Sequence, residues 1–405
     1  MVGVLLQINI RVNVGSTSRI AEQIGQASIA VGWDSYIAYG REANQSKSKL
    51  IKIGSRCGIQ WHGILSRLFD CHGLASTIAT KRLVKQIKQI KPDVIHLHNI
   101  HGYYLNYKIL FDYLNSTNIP VVWTLHDCWA FTGHCAHFVA ADCMRWRDNG
   151  CGKCPLKGRY PKSYTDFSAR NFRLKKSLFV PNPNLHIVTA SEWLQKFVNQ
   201  SFLKSCDVNT IYNGVDLQVF KEGVNFPNLI KKEEREKIVL GVSSVWTISK
   251  GLEDFKQLRQ RLPGDIKIVM VGLKSDQIQD LPEGIIGIER TQNVAELAGY
   301  YAIADVFVNP TYADTFPTVN LEALACGTPV ITYKTGGSPE AVTPETGFVV
   351  EQGDLDAVCE AIECVLQKGK ESYSAACRKR AEEHFDKNKS YQQYIELYNK
   401  ILNNK

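Results

Sequence analysis

The sequence of 405 residues has no long hydrophobic run. Its uninterrupted apolar stretches are far shorter than the roughly 20 residues that a membrane-spanning helix needs, so no span is predicted. The first ten residues, MVGVLLQINI, also lack the basic segment and the small-residue cleavage site of a signal peptide. We interpret them as a buried first strand and expect a cytoplasmic chain, with peripheral binding at the inner face of a membrane left open.

A dinucleotide-binding fingerprint is also absent. The predicted strand over residues 2–10 is followed by a loop of Gly, Ser and Thr and by an apolar-periodic helix over 20–31. This order is typical of the opening of a doubly wound α/β domain, but the loop contains no G-x-G-x-x-G. The start of this helix favours the binding of an anion. The alternative is an ordinary helix cap without a ligand.

The composition is that of a soluble globular chain, with 44% hydrophobic and 22% charged residues, and the length allows two domains with complete cores. Charge is uneven: residues 1–215 hold 26 Lys and Arg against 12 Asp and Glu, and the remainder holds 22 against 28. A basic front half suits an anionic substrate or an anionic membrane surface. We see no nucleic-acid motif, and we expect no nucleic-acid partner.

Two predicted helices are strongly basic. One spans 77–90 and has an apolar stripe, and the other spans 163–179 and carries Arg170, Arg173, Lys175 and Lys176. Such helices can lie on anionic lipid or face a lipid-linked diphosphate. The alternative is a solvated surface helix that packs on a sheet, and both interpretations stay open. Residues 41–75, before the first of these helices, are predicted to be irregular.

Histidines follow two predicted strands at the edge where open α/β sheets bind ligands. One strand ends at His98, with His101 close behind, and another ends at His126, which is followed by Asp127. Histidine handles protons and neutral hydroxyls near pH 7, and a carboxylate such as Asp127 can orient the ring. His126 is therefore a candidate functional residue, and His98 and His101 are further candidates for sugar or acceptor contacts.

Twelve cysteines are many for a cytosolic chain, and four of them are clustered. Cys135, Cys143, Cys151 and Cys154 end in a C-x-x-C turn, and they have the number and clustering of ligands in a structural tetrahedral zinc site. A metal would stabilise a loop that has little periodicity of its own. Free thiols and disulfides are the alternatives, disulfides being disfavoured in a reducing cytosol. His134 is a substitute ligand.

The stretch over residues 306–329, VFVNPTYADTFPTVNLEALACGTP, combines a strand, a polar loop and a helix. The start of that helix presents backbone amides and a positive dipole end to an anion. Asp314 in the loop and Glu322 in the helix have seven residues between them. Carboxylates beside an anion-binding site would repel the anion, so they are better suited to binding neutral hydroxyl groups. The pattern therefore predicts a sugar nucleotide, with phosphates at the amides and hydroxyls at the acids.

The same stretch resembles the signature of glycosyltransferase family 4, which is an acid, seven residues and a Glu, followed by a tail like EAxACGxPVI. Here it reads D-TFPTVNL-E-ALACGTPVI. The chain is also similar to the family at NGVD (213–216) and at Lys250-Gly251, and the Cys-rich loop is similar to bacterial enzymes of colanic-acid and capsular polysaccharide biosynthesis. The resemblance covers the whole chain.

The resemblance implies an α/β fold with two Rossmann-like doubly wound domains facing a central cleft, the B-type glycosyltransferase fold. The N-terminal, acceptor-side domain is expected over 1–215, with a Cys-rich insertion at about 128–160. The donor-nucleotide-binding domain is expected over 216–385. A C-terminal helix over 386–405 is expected to pack back on the N-terminal domain.

The resemblance also implies roles for donor-binding residues. Lys250 and the amides of Thr318 and Val319 would hold the donor diphosphate and stabilise the charge that develops on it. Glu322 would bind the ribose and Asp314 the transferred sugar. In the N-terminal domain, Gly15 and Ser16 would approach the donor.

Three residues are implied to be catalytic, His126, Asp314 and Lys250. His126 would contact the sugar or the acceptor. The acceptor side would also include His98, His101 and Asp127.

Three positions depart from the family pattern. Val245 stands where the family usually has an Arg that holds the diphosphate, so one cation is missing. Asp314 replaces the usual Glu and is one methylene shorter. Pro317 replaces a common Gly and removes one backbone N–H. These departures put the donor identity in question more than the activity.

The implied reaction moves a sugar from a nucleoside diphosphate donor to a growing, lipid-linked oligosaccharide, with retention at the sugar and without a catalytic metal. A sugar-nucleotide-binding scaffold without transferase activity is an alternative, motivated by Val245. A related two-domain enzyme, a sugar-nucleotide epimerase or a glycogen-type phosphorylase, is a further alternative.

Overall fold

The computed structural model describes residues 3–148, 150–224 and 236–403. The chain divides into two compact units, Met1–Ile211 with Tyr391–Lys405, and Tyr212–Ser390. Each unit contains one parallel sheet with helices, so the predicted pair of doubly wound α/β domains is confirmed. Within these described ranges, no helix has the length and the apolar character needed to cross a membrane.

The N-terminal unit is built from alternating strands and helices. Its strands are β1 (Val4–Asn9), β2 (Asp34–Tyr39), β3 (Lys49–Lys52), β4 (Val94–Leu97), β5 (Val121–Leu125), β6 (Leu185–Thr189) and β7 (Asp207–Thr210). Its helices up to that point are α1 (Ser16–Ala30), α2 (Arg56–Phe69), α3 (Thr77–Ile90), α4 (Tyr107–Leu114), α5 (Arg145–Asp148), α6 (Ser168–Phe179) and α7 (Glu192–Val198).

The seven strands pair in the order β3-β2-β1-β4-β5-β6-β7, and every pair is parallel. All residues of β4 and β5 are buried, as expected for central parallel strands that are covered on both faces. The strand order reverses between β1 and β4. Ligands bind at such a switch point in open α/β sheets, outside the carboxyl ends of the strands. Asn9 and His98 lie there.

Helix α2 occupies residues that the sequence predicts to be irregular, and that prediction is wrong. The hydroxyl of Ser55 caps the helix by accepting a hydrogen bond from the N–H of Gly58 at 3.2 Å. The buried residues of α2 are His62 and Ser66, which are polar, while the side chain of Trp61 is exposed. The helix therefore reverses the usual amphipathic pattern, apart from Ile59, which is partly buried and packs against the core.

The two basic helices of the sequence are partly buried in the unit. Helix α3 packs Leu83 and Ile87 into the core, while Ile78 at its start is 68% exposed, so its apolar stripe is only partly buried. Helix α6 begins at Ser168, later than predicted. Lys175 of α6 is 1% exposed, which contradicts its predicted place on an open basic face.

The C-terminal unit has a smaller sheet. Its strands are β8 (Lys237–Val242), β9 (Ile266–Val271), β10 (Ile285–Ile288), β11 (Val306–Asn309), β12 (Val330–Tyr333) and β13 (Gly347–Val350). Its helices are α8 (Leu252–Arg261), α9 (Ser275–Gln279), α10 (Val294–Ile303), α11 (Thr318–Ala325), α12 (Leu355–Lys368) and α13 (Glu371–His384). The strand order is β10-β9-β8-β11-β12-β13, so the switch point lies between β8 and β11.

The last helix, α14 (Lys387–Asn403), joins the N-terminal unit from Tyr391 onward. Tyr394 and Tyr398 pack in a core that also contains Val122 and Val188 of the central strands. The hydroxyl of Tyr398 is 2.6 Å from Nδ1 of His96, which is completely buried in β4. A distant part of the chain thus completes the core of this unit.

Candidate functional site

In the C-terminal unit, the segments that follow β8 and β11 meet at the switch point. Lys250 follows β8 and Asp314 follows β11, and the Nζ and Oδ2 atoms of this pair are 2.6 Å apart. Nζ also donates to Oγ1 of Thr311 at 3.3 Å and to the carbonyl oxygen of Ala313 at 3.2 Å. A lysine ammonium has three N–H donors, and the structure gives each of them an acceptor. Both charged side chains remain partly exposed.

Two glycines permit the backbone approaches around this ion pair. Gly251 follows Lys250 with φ of 77°, and a Cβ atom there would lie 2.4 Å from a ring carbon of Pro310. A Cβ atom on Gly336 would lie 1.7 Å from the carbonyl oxygen of Asp314. No L side chain fits at either position, so the geometry of the pair depends on both glycines.

Helix α11 begins just after Asp314 and presents its first amides. Pro317 is the N-cap residue, and no side chain caps the helix. The N–H groups of Thr318 and Val319 have no intrahelical acceptor, and they coincide with the positive end of the helix dipole. The N–H of Phe316 donates to Oδ1 of Asp314 at 3.3 Å. This end of the helix is therefore suited to an anion, beside one ion-paired carboxylate.

Glu322 is one turn further along α11 and is oriented by a tyrosine that the sequence interpretation missed. The hydroxyl of Tyr301, in α10, donates to Oε2 of Glu322 at 3.0 Å. Complete burial raises the pKa of Tyr301 well above its usual value, so the phenol keeps its proton and remains a donor. Glu322 itself is partly exposed. The signal in the sequence is only the pair Tyr300-Tyr301 in an apolar helix.

Val245 occupies the position at which the family usually has an arginine. Its side chain is 54% exposed, and its carbonyl oxygen accepts a hydrogen bond from the hydroxyl of Ser243 at 3.0 Å. The segment from Ser243 to Lys250 therefore supplies one cation, which is Lys250.

In the N-terminal unit, the start of α1 lies at the switch point between β1 and β4. Gly15 and Ser16 are exposed, and Gly15 is the N-cap residue, with φ of 77° and no side-chain cap. The amide of Asn9 donates to Oγ of Ser18 at 3.2 Å, and the amide of Asn99 donates to Oγ1 of Thr17 at 3.4 Å. These contacts attach the first turn of α1 to the ends of β1 and β4, where its free amides can receive an anion.

His98 and His126 form a hydrogen-bonded chain that starts at Gln7. The amide NH2 of Gln7 donates to Ala21, so its oxygen faces Nε2 of His98 at 2.9 Å and that nitrogen must carry the proton. Burial lowers the pKa of His98 well below its usual value and the pKa of His126 to about 4, so both rings are neutral at pH 7. Nδ1 of His98 then accepts from Nε2 of His126 at 3.2 Å. The unprotonated nitrogen of His126 is therefore Nδ1.

Asp127 orients a different histidine from the one expected. Its Oδ2 atom lies 2.9 Å from Nε2 of His101, and its Oδ1 atom accepts from the N–H of Trp129 at 2.8 Å. The other nitrogen of His101 is 3.1 Å from the hydroxyl of Tyr160. Although burial opposes ionisation, the electrostatic interaction and the hydrogen bond with His101 lower the pKa of Asp127 to about 2. The four predicted residues from the two strand ends thus form two pairs, His98 with His126 and His101 with Asp127.

The Cys-rich segment packs around buried polar groups. Cys135 is buried, and Sγ of Cys151 accepts from the N–H of Gly133 at 3.2 Å. The C-x-x-C turn is left-handed from Gly150 to Lys153, with φ between 49° and 104°. The four predicted ligands Cys135, Cys143, Cys151 and Cys154 are all free thiols.

The described residues contain no group of three or more His, Cys, Asp or Glu side chains placed to hold a metal. The predicted zinc site therefore stays a prediction. One observation favours it. Nδ1 of His134 is 2.6 Å from Oδ1 of Asp70, and its Nε2 is buried without a hydrogen-bond partner among the described residues. A carboxylate that fixes one ring nitrogen is typical of a metal-binding histidine.

If zinc is bound, we expect purified protein to carry about one zinc per chain and Cys151→Ser to lose it, because a structural site needs four protein ligands. Metal analysis by mass spectrometry, together with circular dichroism, measures both. Cys57→Ser, at an exposed cysteine of α2, is the matched control and should keep the metal. Metal-free wild type that is fully folded would end the zinc hypothesis.

Near the cysteines, Lys175 is held inside the unit. Its Nζ donates to the carbonyl oxygens of Trp129 at 2.6 Å and Thr132 at 3.0 Å, and it lies 3.4 Å from the centre of the Trp129 ring. Burial lowers the pKa of Lys175 to about 7. The side chain links α6 to the segment after β5. It cannot contact a membrane or a lipid-linked acceptor from this position.

Two family models match this chain over most of its length. The model described as Glycosyltransferase Family 4 matches residues 20–219, and the model described as Glycosyl transferases group 1 matches residues 237–368. The first covers His98, His126 and the Cys-rich segment, and it begins after Gly15 and Ser16. The second covers Lys250, Asp314 and the start of α11.

Individual proteins give the same result. The chain is 23% identical to a putative colanic acid biosynthesis glycosyl transferase, WcaC of Escherichia coli, over 87% of this chain and 88% of that one. A sucrose-phosphate synthase from Thermosynechococcus elongatus aligns over 100% of both chains, with a TM-score of 0.72 and 18% identity. Anabaena HepE in complex with UDP and glucose aligns over 97% of this chain and 98% of that one, with a TM-score of 0.67 and 16% identity.

The structural likeness confirms the predicted B-type glycosyltransferase fold. The two family matches confirm the resemblance that the stretch around Asp314 and Glu322 suggests. The chain belongs to the glycosyltransferases of family 4.

Proposed function

We propose that this glycosyltransferase is a retaining, hexosyl-type enzyme that uses a nucleoside diphosphate sugar. The observation that carries the proposal is the meeting of Lys250 and Asp314 at the switch point of the C-terminal unit, directly before the free amides of α11. A cation, free amides and a carboxylate in one place fit a donor that has both phosphates and hydroxyls. The complex of Anabaena HepE with UDP and glucose, a protein of the same fold, supports this class of donor.

We further propose that the acceptor is a growing, lipid-linked oligosaccharide of a bacterial surface polysaccharide, at the inner face of a membrane. The similarity to a putative colanic acid biosynthesis enzyme of Escherichia coli supports this acceptor class. The basic N-terminal half supports an anionic partner on that side.

In the proposed mechanism, the leaving diphosphate is stabilised by fixed charge and dipoles. All three donors of Lys250 have protein acceptors, so a diphosphate must replace at least one of them. Asp314 is the natural group to be displaced, because phosphate oxygens compete directly with its carboxylate. The amides of Thr318 and Val319 then complete the stabilisation of the charge that develops as the glycosidic bond to phosphate breaks.

The two acids would bind neutral hydroxyls in this mechanism. Once Lys250 turns to the diphosphate, the Asp314 carboxylate can accept hydrogen bonds from the transferred sugar. Glu322, which Tyr301 holds in place, would bind the ribose through charge-assisted hydrogen bonds. In this arrangement both carboxylates contact hydroxyl groups rather than the phosphates.

The histidine chain of the N-terminal unit would bind a hydroxyl of the sugar or the acceptor. Nε2 of His126 donates into the chain that runs through His98 to Gln7, which leaves Nδ1 without a proton. Because both rings are neutral, His126 can accept a hydrogen bond without carrying a charge into the site.

A panel of nucleoside diphosphate sugars tests the proposal, with thermal shift for binding and released nucleotide for turnover. We expect one donor to raise the melting temperature and to be hydrolysed slowly without acceptor. A membrane extract that contains lipid-linked acceptors should accelerate the release. Binding of a donor that is never turned over, with or without the extract, would favour the scaffold alternative. Binding of no donor would contradict the proposal.

A further inference from the structure

Helix α2 presents an apolar stripe to solvent. Trp61, Ile64 and Leu68 are spaced at i, i+3 and i+7, and they are 61%, 47% and 45% exposed. The inward side of the helix is polar: Nε2 of His62 accepts from the N–H of Gly73 at 3.1 Å, and Ser66 is buried. A helix that buries histidine and serine and exposes tryptophan and leucine has its apolar face available for another surface.

The segment before α6 extends this stripe. The N–H of Tyr164 donates to the carbonyl oxygen of Arg67 at 2.7 Å, which places the tyrosine at the C-terminal end of α2. The N–H of Phe167 donates to Oδ2 of Asp70, just after the same helix end. Tyr164 is 64% exposed and Phe167 is 41% exposed. We call the exposed residues Trp61, Ile64, Leu68, Phe69, Tyr164 and Phe167 the α2 surface.

Cations border the α2 surface and outnumber the acids, of which Asp166 lies between Tyr164 and Phe167. The guanidinium of Arg170 lies 4.6 Å from the centre of the Phe167 ring, and Nζ of Lys162 lies 5.9 Å from that of Tyr164. Residues 43–92 contain ten Lys and Arg and a single acid, Asp70, which is 1% exposed. The surface therefore combines exposed aromatic and aliphatic side chains with a positive field.

We propose that the α2 surface binds the face of an anionic lipid bilayer. Tryptophan, tyrosine and long basic side chains are the residues that favour the region between lipid headgroups and acyl chains, where apolar parts are buried and polar ends stay hydrated. The excess of cations favours anionic headgroups. It disfavours a second copy of the chain, because two such surfaces would place like charges together.

This inference deepens the proposed function, since a lipid-linked acceptor is reached from a membrane surface. It changes the membrane contact suggested by the basic sequence pattern. Lys175 of α6 is buried, whereas Phe167 and Arg170, from the predicted basic helix over 163–179, lie beside the stripe of α2. The stripe itself lies in residues expected to be irregular.

Co-sedimentation of the full chain with vesicles tests the inference. We expect binding to vesicles of phosphatidylcholine and phosphatidylglycerol, and much weaker binding to phosphatidylcholine alone. A triple variant with Trp61→Ser, Ile64→Ser and Leu68→Ser should bind at least about 10-fold more weakly. In a separate variant, Arg67→Gln with Lys162→Gln, each lost cation should weaken binding about fivefold.

Two control variants test whether the loss of vesicle binding is specific to the α2 surface. Val31→Ser and Val294→Ser replace valines that are 48% and 38% exposed elsewhere on the chain, and they should bind vesicles like wild type. The triple variant should keep its melting temperature, because its three side chains are largely exposed. Wild type that does not bind anionic vesicles, or a triple variant that binds like wild type, would overturn the inference. If the three substitutions change only the oligomer mass measured by sedimentation and leave vesicle binding unchanged, the surface is an interface with a second copy instead.

Donor hydrolysis in the absence of lipid separates this inference from the proposed function. The triple variant should hydrolyse the donor at the wild-type rate. If wild type binds vesicles but hydrolyses no donor, the proposed function fails and the lipid-binding surface stands. If it hydrolyses a donor but does not bind vesicles, the surface fails and the enzyme proposal stands.

Discussion

Replacing Lys250 by methionine is expected to lower the turnover number by about 10²–10³-fold, the usual effect of removing one fixed group that stabilises developing charge. The segment after β8 supplies one cation, Lys250, because Val245 occupies the position at which the family usually has an arginine. Methionine keeps much of the length and apolar stem of lysine, so the change tests the ammonium group. Steady-state turnover with the donor identified in the panel measures the effect.

Lys256→Met is the matched control, because Lys256 lies in the adjacent helix α8 and has its own acidic partner, Glu253, at 3.3 Å. Its turnover should equal that of wild type, since partly exposed ion pairs contribute little. If Lys250→Met stays within about threefold of wild type, a loss smaller than removing such a group normally causes, Lys250 does not stabilise the leaving group.

The ion pair also predicts how two changes combine. In the proposed mechanism, Asp314 orients Lys250 before the donor binds and contacts the sugar afterwards. The double variant with Lys250→Met and Asp314→Asn should therefore lose less than the product of the two single losses, because contacting groups couple. Losses that multiply fully would mean that the two residues act independently, in spite of the 2.6 Å contact.

Replacing Glu322 by glutamine is expected to raise the dissociation constant of the donor by about 10–100-fold, because hydrogen bonds to a charged group are worth about 1.5–3 kcal/mol. Glutamine has the same shape and can still accept from Tyr301, so the change removes the charge and leaves the packing. Calorimetric titration with the nucleoside diphosphate alone measures the effect without turnover.

Tyr301→Phe provides the comparison for Glu322. It removes the hydroxyl that positions the carboxylate but keeps the charge, so it should weaken donor binding less than Glu322→Gln does. Turnover at saturating donor should change little in either variant, because the ribose is bound in the ground state and in the transition state alike. An unchanged dissociation constant for Glu322→Gln would remove Glu322 from the donor site.

The sequence predicts the fold well where apolar pattern and buried strands coincide. The stretches LLQIN at β1 and VVWTL at β5 are followed by polar loops, and both are central strands in the structure. Helix α2 is missed because its inward residues, His62 and Ser66, are polar and its large apolar residues face outward. Trp61, Ile64 and Leu68 follow a helical period, but their stripe faces solvent and gives no sign of packing on the sheet.

The candidate site is predictable as a set of residues but not as a set of pairs. The positions of His98, His126 and Asp127 follow from their places at strand ends. Asp127 accepts a hydrogen bond from His101 rather than from its neighbour His126, and this depends on how separate loops meet. Gln7 carries a weak signal, because it is a polar residue inside an apolar strand. The buried position of Lys175 follows from the carbonyl groups that surround it, which its own helix does not reveal.

The position of α14 has a consequence for the order of folding during synthesis. The ribosome completes the first 211 residues of the N-terminal unit well before it makes Tyr394 and Tyr398, which belong to the core of the same unit. In that interval His96 lacks the Tyr398 hydroxyl, and the apolar surface around Val122 and Val188 is open to water. Domains generally fold in the order in which they are made, and exposed apolar surface attracts chaperones and other nascent chains. In this chain the unit whose synthesis begins first is completed only after the second unit has been made.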